Sequence, residues 1–288
     1  MISVGRIAGI RLRIHVLLLL LAAFSLVLGF GPELLILLVS LLLHELAHCL
    51  AAARVGAEIS SIELLPFGGQ AHSNDLSLLS PDQEIVVALA GPAASALIAG
   101  ILLILTNIIA LNYIEIAFGA NTLLAAFNLL PALPLDGGRV LRAVLGMKVS
   151  YRRATIFSAG MGQGLAVLMV AGGGYLMWQE QKGIGLILIG IILLRAARRE
   201  LKLFYYAFIR YLLHKKERLR LQGILPCRQQ VCGPEVLLKN VLDGSSMSDY
   251  IILLVLDENH HLRGSLTEAE MIEALMEHGP RVRAGEAV

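Results

Sequence analysis

LLILLVSLLLHELAHCLAAARV occupies residues 34–55. It is rich in Leu and Ala and, between its ends, free of Gly and Pro, so it reads as one helix. At about 1.5 Å per residue it is long enough to cross the hydrocarbon core of a bilayer, about 30 Å thick. An ionisable side chain inside such a span costs about 2.5–3.5 kcal/mol on insertion scales. This span holds three ionisable groups together, His44, Glu45 and His48. Residues four apart on a helix stack one turn above each other, so both imidazoles can reach one metal ion. Glu45 is turned about 100° from His44, which lets its carboxylate reach a water on that metal.

His44-Glu45-Leu46-Ala47-His48 is the HExxH spacing of zinc hydrolases, in which two histidines bind the metal and the glutamate is the base. The bland alternative is a polar contact between helices, or a charge snorkelling near a helix end. Two histidines leave zinc short of its usual three protein ligands. The apolar segment ending Asn128-Leu-Leu-Pro131-Ala-Leu-Pro134-Leu135-Asp136-Gly137-Gly138 supplies the best third. Its prolines and glycines break the helix, and broken backbone at membrane depth is tolerated where it lines a cavity. The alternative for Asp136 is an acid just outside the membrane, paired with Arg139.

The rest of the chain reads as membrane protein. Of its 288 residues 57% are hydrophobic and the mean hydropathy is +0.73, beyond what soluble domains reach. Apolar runs predict a mainly α, polytopic membrane protein of about six transmembrane helices, near 14–30, 34–55, 85–111, 116–135, 155–178 and 183–200. The first run follows Arg11 and Arg13 but lacks a cleavage site, so a retained helix is preferred to a signal peptide. Six spans put both termini on one side. That side holds Arg6, Arg11, Arg13, Arg54, Arg139, Arg142, Lys148, Arg152 and Arg153, which places both termini in the cytoplasm.

The expected organisation is a membrane-embedded domain over 1–200, a basic amphipathic linker over 201–222 that either lies on anionic lipid or is a plain solvated helix, and a small cytosolic α/β domain over 223–288. In that domain Tyr250–Leu256 and Leu262–Leu266 read as strands, and Thr267 with Glu270 as a capping box for a helix through Met276. Cys227 and Cys232 read as two reduced thiols rather than a zinc site.

HELAH on one span with NLLPALPLDGG on a later one resembles the site-2 protease family of intramembrane metalloproteases over residues 1–200. The resemblance implies zinc bound by His44, His48 and Asp136, with Glu45 as general base. Leu64-Leu65-Pro66-Phe67-Gly68-Gly69 resembles the family's loop near the site, and Ala90-Gly91-Pro92-Ala93-Ala94-Ser95 its AGPxxN turn, with Ser95 where Asn is usual. Asn128, Pro134, Phe67 and Gly68 are expected to contact substrate. The bland alternatives are that Gly68-Gly69 is only a turn and Gly91-Pro92 only a helix start.

The combination of six spans, a basic linker and a small C-terminal module looks most like the stage IV sporulation branch. That branch implies an inactive sigma-factor precursor as substrate, a regulatory membrane protein, and the mother-cell membrane around the forespore as location. Val255–Leu275 resembles one cystathionine-β-synthase (CBS) repeat, which implies pairing into a homo-oligomer and binding of ATP or another adenine nucleotide. Nucleic acid is not an expected partner. The competing function is a metal-ion transporter or sensor, since polar groups on broken helices also mark ion pathways.

Overall fold

The computed structural model describes residues 2–7, 10–57, 61–65, 68–72, 79–106, 112–180, 182–201, 223–224, 227–244, 250–279 and 281–288. They fall into two compact units, Met1–Leu141 and Arg142–Val288.

In the first unit, β1 (Ile2–Ile7) and β2 (Ile10–Ile14) precede α1 (Val16–Val27) and α2 (Gly31–Arg54). Then come β3 (Ser61–Leu65), β4 (Gly68–His72), α3 (Pro81–Thr106), α4 (Asn112–Asn128) and α5 (Asp136–Gly146), whose last turns pass into the second unit. α2, α3 and α4 pack on one another. The four strands form one sheet in the order β1-β2-β3-β4, parallel between β2 and β3 and antiparallel elsewhere.

The ends of α2 follow from its sequence. Pro32 sits in the first turn, where its missing N–H is no loss. At the other end Gly56 takes φ +84°. Its N–H reaches Ala53 O at 3.1 Å and that of Ala57 reaches Ala52 O at 2.9 Å, a Schellman closure that favours glycine. The next helix begins with a capping box: Ser80 N–H donates to Gln83 Oε1 at 3.0 Å, and Gln83 N–H to Ser80 Oγ at 3.5 Å. Gln83 Nε2 also donates to Val55 O at 3.3 Å, tying the start of α3 to the end of α2.

In the second unit, α6 (Tyr151–Glu180) is followed by α7 (184–201), β5 (Cys227–Cys232), α8 (Leu238–Asp243), β6 (Tyr250–Leu256), β7 (Leu262–Thr267) and α9 (Glu268–His278). Small residues let α6 and α7 meet closely: a Cβ on Gly190 would sit 2.9 Å from Ala166 O, and one on Gly173 2.9 Å from Gly183 O. The small sheet runs β5-β6-β7, with β5 parallel and β7 antiparallel to the central strand. Ile251, Leu253 and Val255 alternate inward from β6 onto Leu238, Leu266 and Met271. Glu268 is buried and accepts Ile251 N–H at 3.0 Å. Thr267 and Glu270 form the capping box expected of them.

The six spans are not what folds. Among the described residues three helices are long and apolar enough to cross a membrane: Gly31–Arg54, Pro81–Thr106 and Tyr151–Gln179. The first expected span gives only the 12 residues of α1, ended by a turn at Gly29 with φ +82°. The fourth gives the 17 residues of α4, because the proline-rich stretch after Asn128 folds as turns. The last becomes α7, whose apolar part is cut short by Arg195, Arg198, Arg199 and Glu200. The even count of spans, and the parity argument for the two termini, fall with it.

Two further expectations change. Gly91-Pro92 lies inside α3 rather than at a helix start. Leu64-Leu65 and Gly68-Gly69 are paired strands, with Leu64 opposite Gly69 and Leu65 opposite Gly68, rather than a plain loop.

Candidate active site

α2 delivers His44, Glu45 and His48 to the buried side of the first unit. Asp136 comes from the start of α5, after a turn with a cis Leu133-Pro134 bond. That turn is tight. A Cβ on Gly137 would overlap the Leu129 carbonyl, and one on Gly138 would overlap the backbone of Ala132 and Leu133. Glycines at both positions thus let the chain double back and present the Asp136 carboxylate.

Three ligand atoms converge. His44 Nε2 is 3.2 Å from Asp136 Oδ2, His48 Nε2 is 3.1 Å from the same oxygen, and the two Nε2 atoms are 3.2 Å apart. The three residues are buried and form the cluster able to hold a metal among the described residues. Their triangle is close to the spacing of about 3.3 Å kept by tetrahedral ligands about 2.0–2.1 Å from one zinc ion.

The outer nitrogens are also held. His48 Nδ1 lies 2.7 Å from Val87 O, a carbonyl that only accepts. The proton of a neutral His48 therefore sits on Nδ1, and its Nε2 offers a lone pair to the triangle. His44 Nδ1 lies 2.9 Å from the hydroxyl of Ser95, which is fully buried on α3. Such outer contacts fix the tautomer and aim of a metal-binding imidazole. When Ser95 Oγ accepts from His44 Nδ1, both Nε2 atoms offer lone pairs, and two lone pairs with a carboxylate oxygen at this range repel unless a cation lies between them, so the donor set fits a divalent metal.

Gly91 closes the site from α3. A Cβ there would overlap His48 Nε2 and come 2.6 Å from His44 Nε2. Asp136 is buried beside the two imidazoles. Its other oxygen, Oδ1, has Arg139 Nη1 at 3.9 Å. Glu45 is buried beside His44 on the same helix.

The expected substrate contacts are less concentrated. Asn128 Nδ2 donates back to Leu124 O on its own helix at 3.0 Å. Pro134 is half-buried in the turn before Asp136. Gly68 begins β4, and Phe67 lies outside the described residues. Sequence reasoning missed the carbonyl of Val87, since no side chain signals it, and left Ser95 without a partner.

The model of peptidase family M50 matches residues 32–111 and 105–171. The solved structure of a site-2 protease from Methanocaldococcus jannaschii superposes with a TM-score of 0.58 at 32% identity, over 69% of this chain and 94% of that one. A zinc metalloprotease of the same organism is 37% identical over 140 residues, 47% of this chain and 40% of the relative. Stage IV sporulation protein FB of Bacillus subtilis is 30% identical over 147 residues, 50% of this chain and 51% of the relative. The chain thus spans two fifths to one half of the curated relatives it matches. On the solved structure that it covers almost entirely, and on the M50 match that takes in both HELAH and LDGG, the chain belongs to the site-2 protease (M50) family of zinc metalloproteases.

Proposed function

We propose that this chain is an intramembrane zinc endopeptidase that cuts a membrane-associated protein, with His44, His48 and Asp136 holding the metal and Glu45 acting as general base. The observation that carries the reading is the buried triangle of His44 Nε2, His48 Nε2 and Asp136 Oδ2. A zinc ion there supplies Lewis acidity, which polarises a carbonyl and makes water acidic enough to react near neutral pH. Glu45 takes the proton of the attacking water and delivers it to the leaving amine. Ser95 and Val87 keep the imidazoles aimed, and Arg139 sits beside the second oxygen of Asp136. The substrate helix must unwind first, because its backbone is already hydrogen-bonded. The broken stretch 128–138 is proposed to receive it, with Asn128, Pro134, Phe67 and Gly68 in contact.

The finer reading places the chain in the sporulation branch, acting on an inactive sigma-factor precursor under a regulatory membrane protein, in the mother-cell membrane around the forespore. The likeness to stage IV sporulation protein FB favours it. The β-α-β-β-α order of residues 227–278 is compatible with a CBS-like module that pairs between subunits and takes an adenine nucleotide. The excess of Arg and Lys around Arg54 and in the N-terminal segment (Arg6, Arg11, Arg13) favours a cytoplasmic location for both termini.

The test is cleavage of candidate membrane-bound precursors by the full chain reconstituted in vesicles. Glu45→Gln must stop cleavage while zinc stays bound. Cleavage at the wild-type rate by Glu45→Gln contradicts the assignment, and zinc transport without cleavage favours the transporter.

A further inference from the structure

Asn121 lies on α4 with 2% of its surface exposed. Its Nδ2 donates to Ser40 Oγ on α2 and to Ala117 O one turn back on its own helix, both at 2.9 Å. Both amide hydrogens are therefore used. Its carbonyl, Oδ1, is buried and has no hydrogen-bond partner among the described residues. Turning the amide round does not help, since the oxygen would then face the Ala117 carbonyl, which can only accept.

An unpaired buried acceptor costs free energy that an apolar side chain of similar bulk avoids. Stability alone gives no reason for asparagine here. A single buried asparagine that fixes the register of two helices at a cost in stability is a known device, and polar side chains bridge membrane helices in the same way. The location gives this one a purpose. Ser40 is buried one turn before His44 on the same stripe of α2. α4 runs from Asn121 to Asn128 and into the turn that ends at Asp136. The Asn121–Ser40 bond thus joins the helix carrying the two histidines to the segment carrying the carboxylate.

We infer that Asn121 is a positioning residue for the metal centre: by holding Ser40 it sets the height of α4 on α2, and so the height of Asp136 against His44 and His48. It acts through the helices and touches neither metal nor substrate. The inference rests on the metal-centre reading of the His44–His48–Asp136 triangle.

The test uses the purified full chain as wild type, Asn121→Leu, Asn121→Ala, Ser40→Ala, Ser40→Thr and the Asn121→Leu/Ser40→Ala double variant. Zinc affinity is measured by competition with a chelator, ligand geometry by the visible spectrum of the cobalt-substituted protein, and stability by the unfolding midpoint of the metal-free form. Asn121→Leu and Asn121→Ala are expected to weaken zinc about tenfold and to alter the cobalt bands. The metal-free midpoint of Asn121→Leu stays level or rises. Ser40→Thr, which keeps the hydroxyl, behaves as wild type, and the double variant is no worse than Asn121→Leu alone. Unchanged affinity and bands in the Asn121 variants overturn the positioning role. So does a fall in affinity that only follows a fall in the midpoint. A wild-type protein that binds neither zinc nor cobalt overturns the metal-centre reading itself.

Discussion

His44 and His48 turn their Nε2 atoms toward each other at 3.2 Å, and Asp136 Oδ2 completes the triangle from a segment 88 residues further along the chain. Each imidazole is braced from behind by α3, His44 through Ser95 and His48 through the Val87 carbonyl. α3 therefore shapes the site as closely as the helix that carries the ligands.

Gly91→Ala tests that closeness. The new methyl group falls on the two Nε2 atoms that face Asp136 Oδ2. Glycine in mid-helix is a weak helix former, so alanine is not penalised by the backbone. The variant is expected to insert and fold but to retain less than a tenth of the wild-type zinc, read by metal analysis of the purified protein. Full zinc occupancy would show that the α3 backbone stands further from the site than described.

Ser95→Ala removes the partner of His44 Nδ1 and leaves that nitrogen buried. Loss of such a support costs about 10–100-fold in metal affinity. The expected result is that loss in chelator competition, with the unfolding midpoint of the metal-free protein shifted by only a few degrees.

How much of this was legible beforehand differs by element. The helix carrying His44 and the strands Tyr250–Leu256 and Leu262–Thr267 follow from periodicity and caps, because their signals are local. Asp136 could be picked out because prolines and glycines bracket it. The number of spans was not legible. Summed hydropathy joins α4 to the turns after Asn128 and does not register Gly29 or the arginines that end α7. The strands over 2–14 were hidden because Ile10-Arg-Leu-Arg-Ile14 alternates like a strand yet sits beside an apolar run whose basic flank it resembles. Pro92 looked like a helix start, whereas packing against α2 carries α3 through it.

The tail offers a test apart from the metal. Thr267→Ala removes one half of the α9 capping box and is expected to cost about 1 kcal/mol. The hydrogen bonds from Thr267 hold the Glu270 carboxyl below its usual range. A depressed acid stabilises the fold above its unfolded-state pKa, and that contribution is lost as pH falls through the folded-state value. The amide protection factors over Glu268–Met271 in the full chain, which remove the intrinsic pH dependence of exchange, should therefore fall in acid for wild type. In Thr267→Ala they should already be lower at neutral pH and change less in acid.

Gly190→Ile probes the pairing of α6 with α7. Its Cβ meets Ala166 O and Val170, and overpacking of this kind costs about 1–3 kcal/mol. The unfolding midpoint in detergent is expected to fall by several degrees with zinc affinity unchanged.

Zinc-edge X-ray absorption on the purified full chain tests the central claim most directly. The expected result is one zinc per chain with two imidazole nitrogens and a carboxylate oxygen at about 2.0–2.1 Å, and a changed first shell or lost zinc in Asp136→Ala. A sulfur shell, or the same spectrum in wild type and Asp136→Ala, would contradict it.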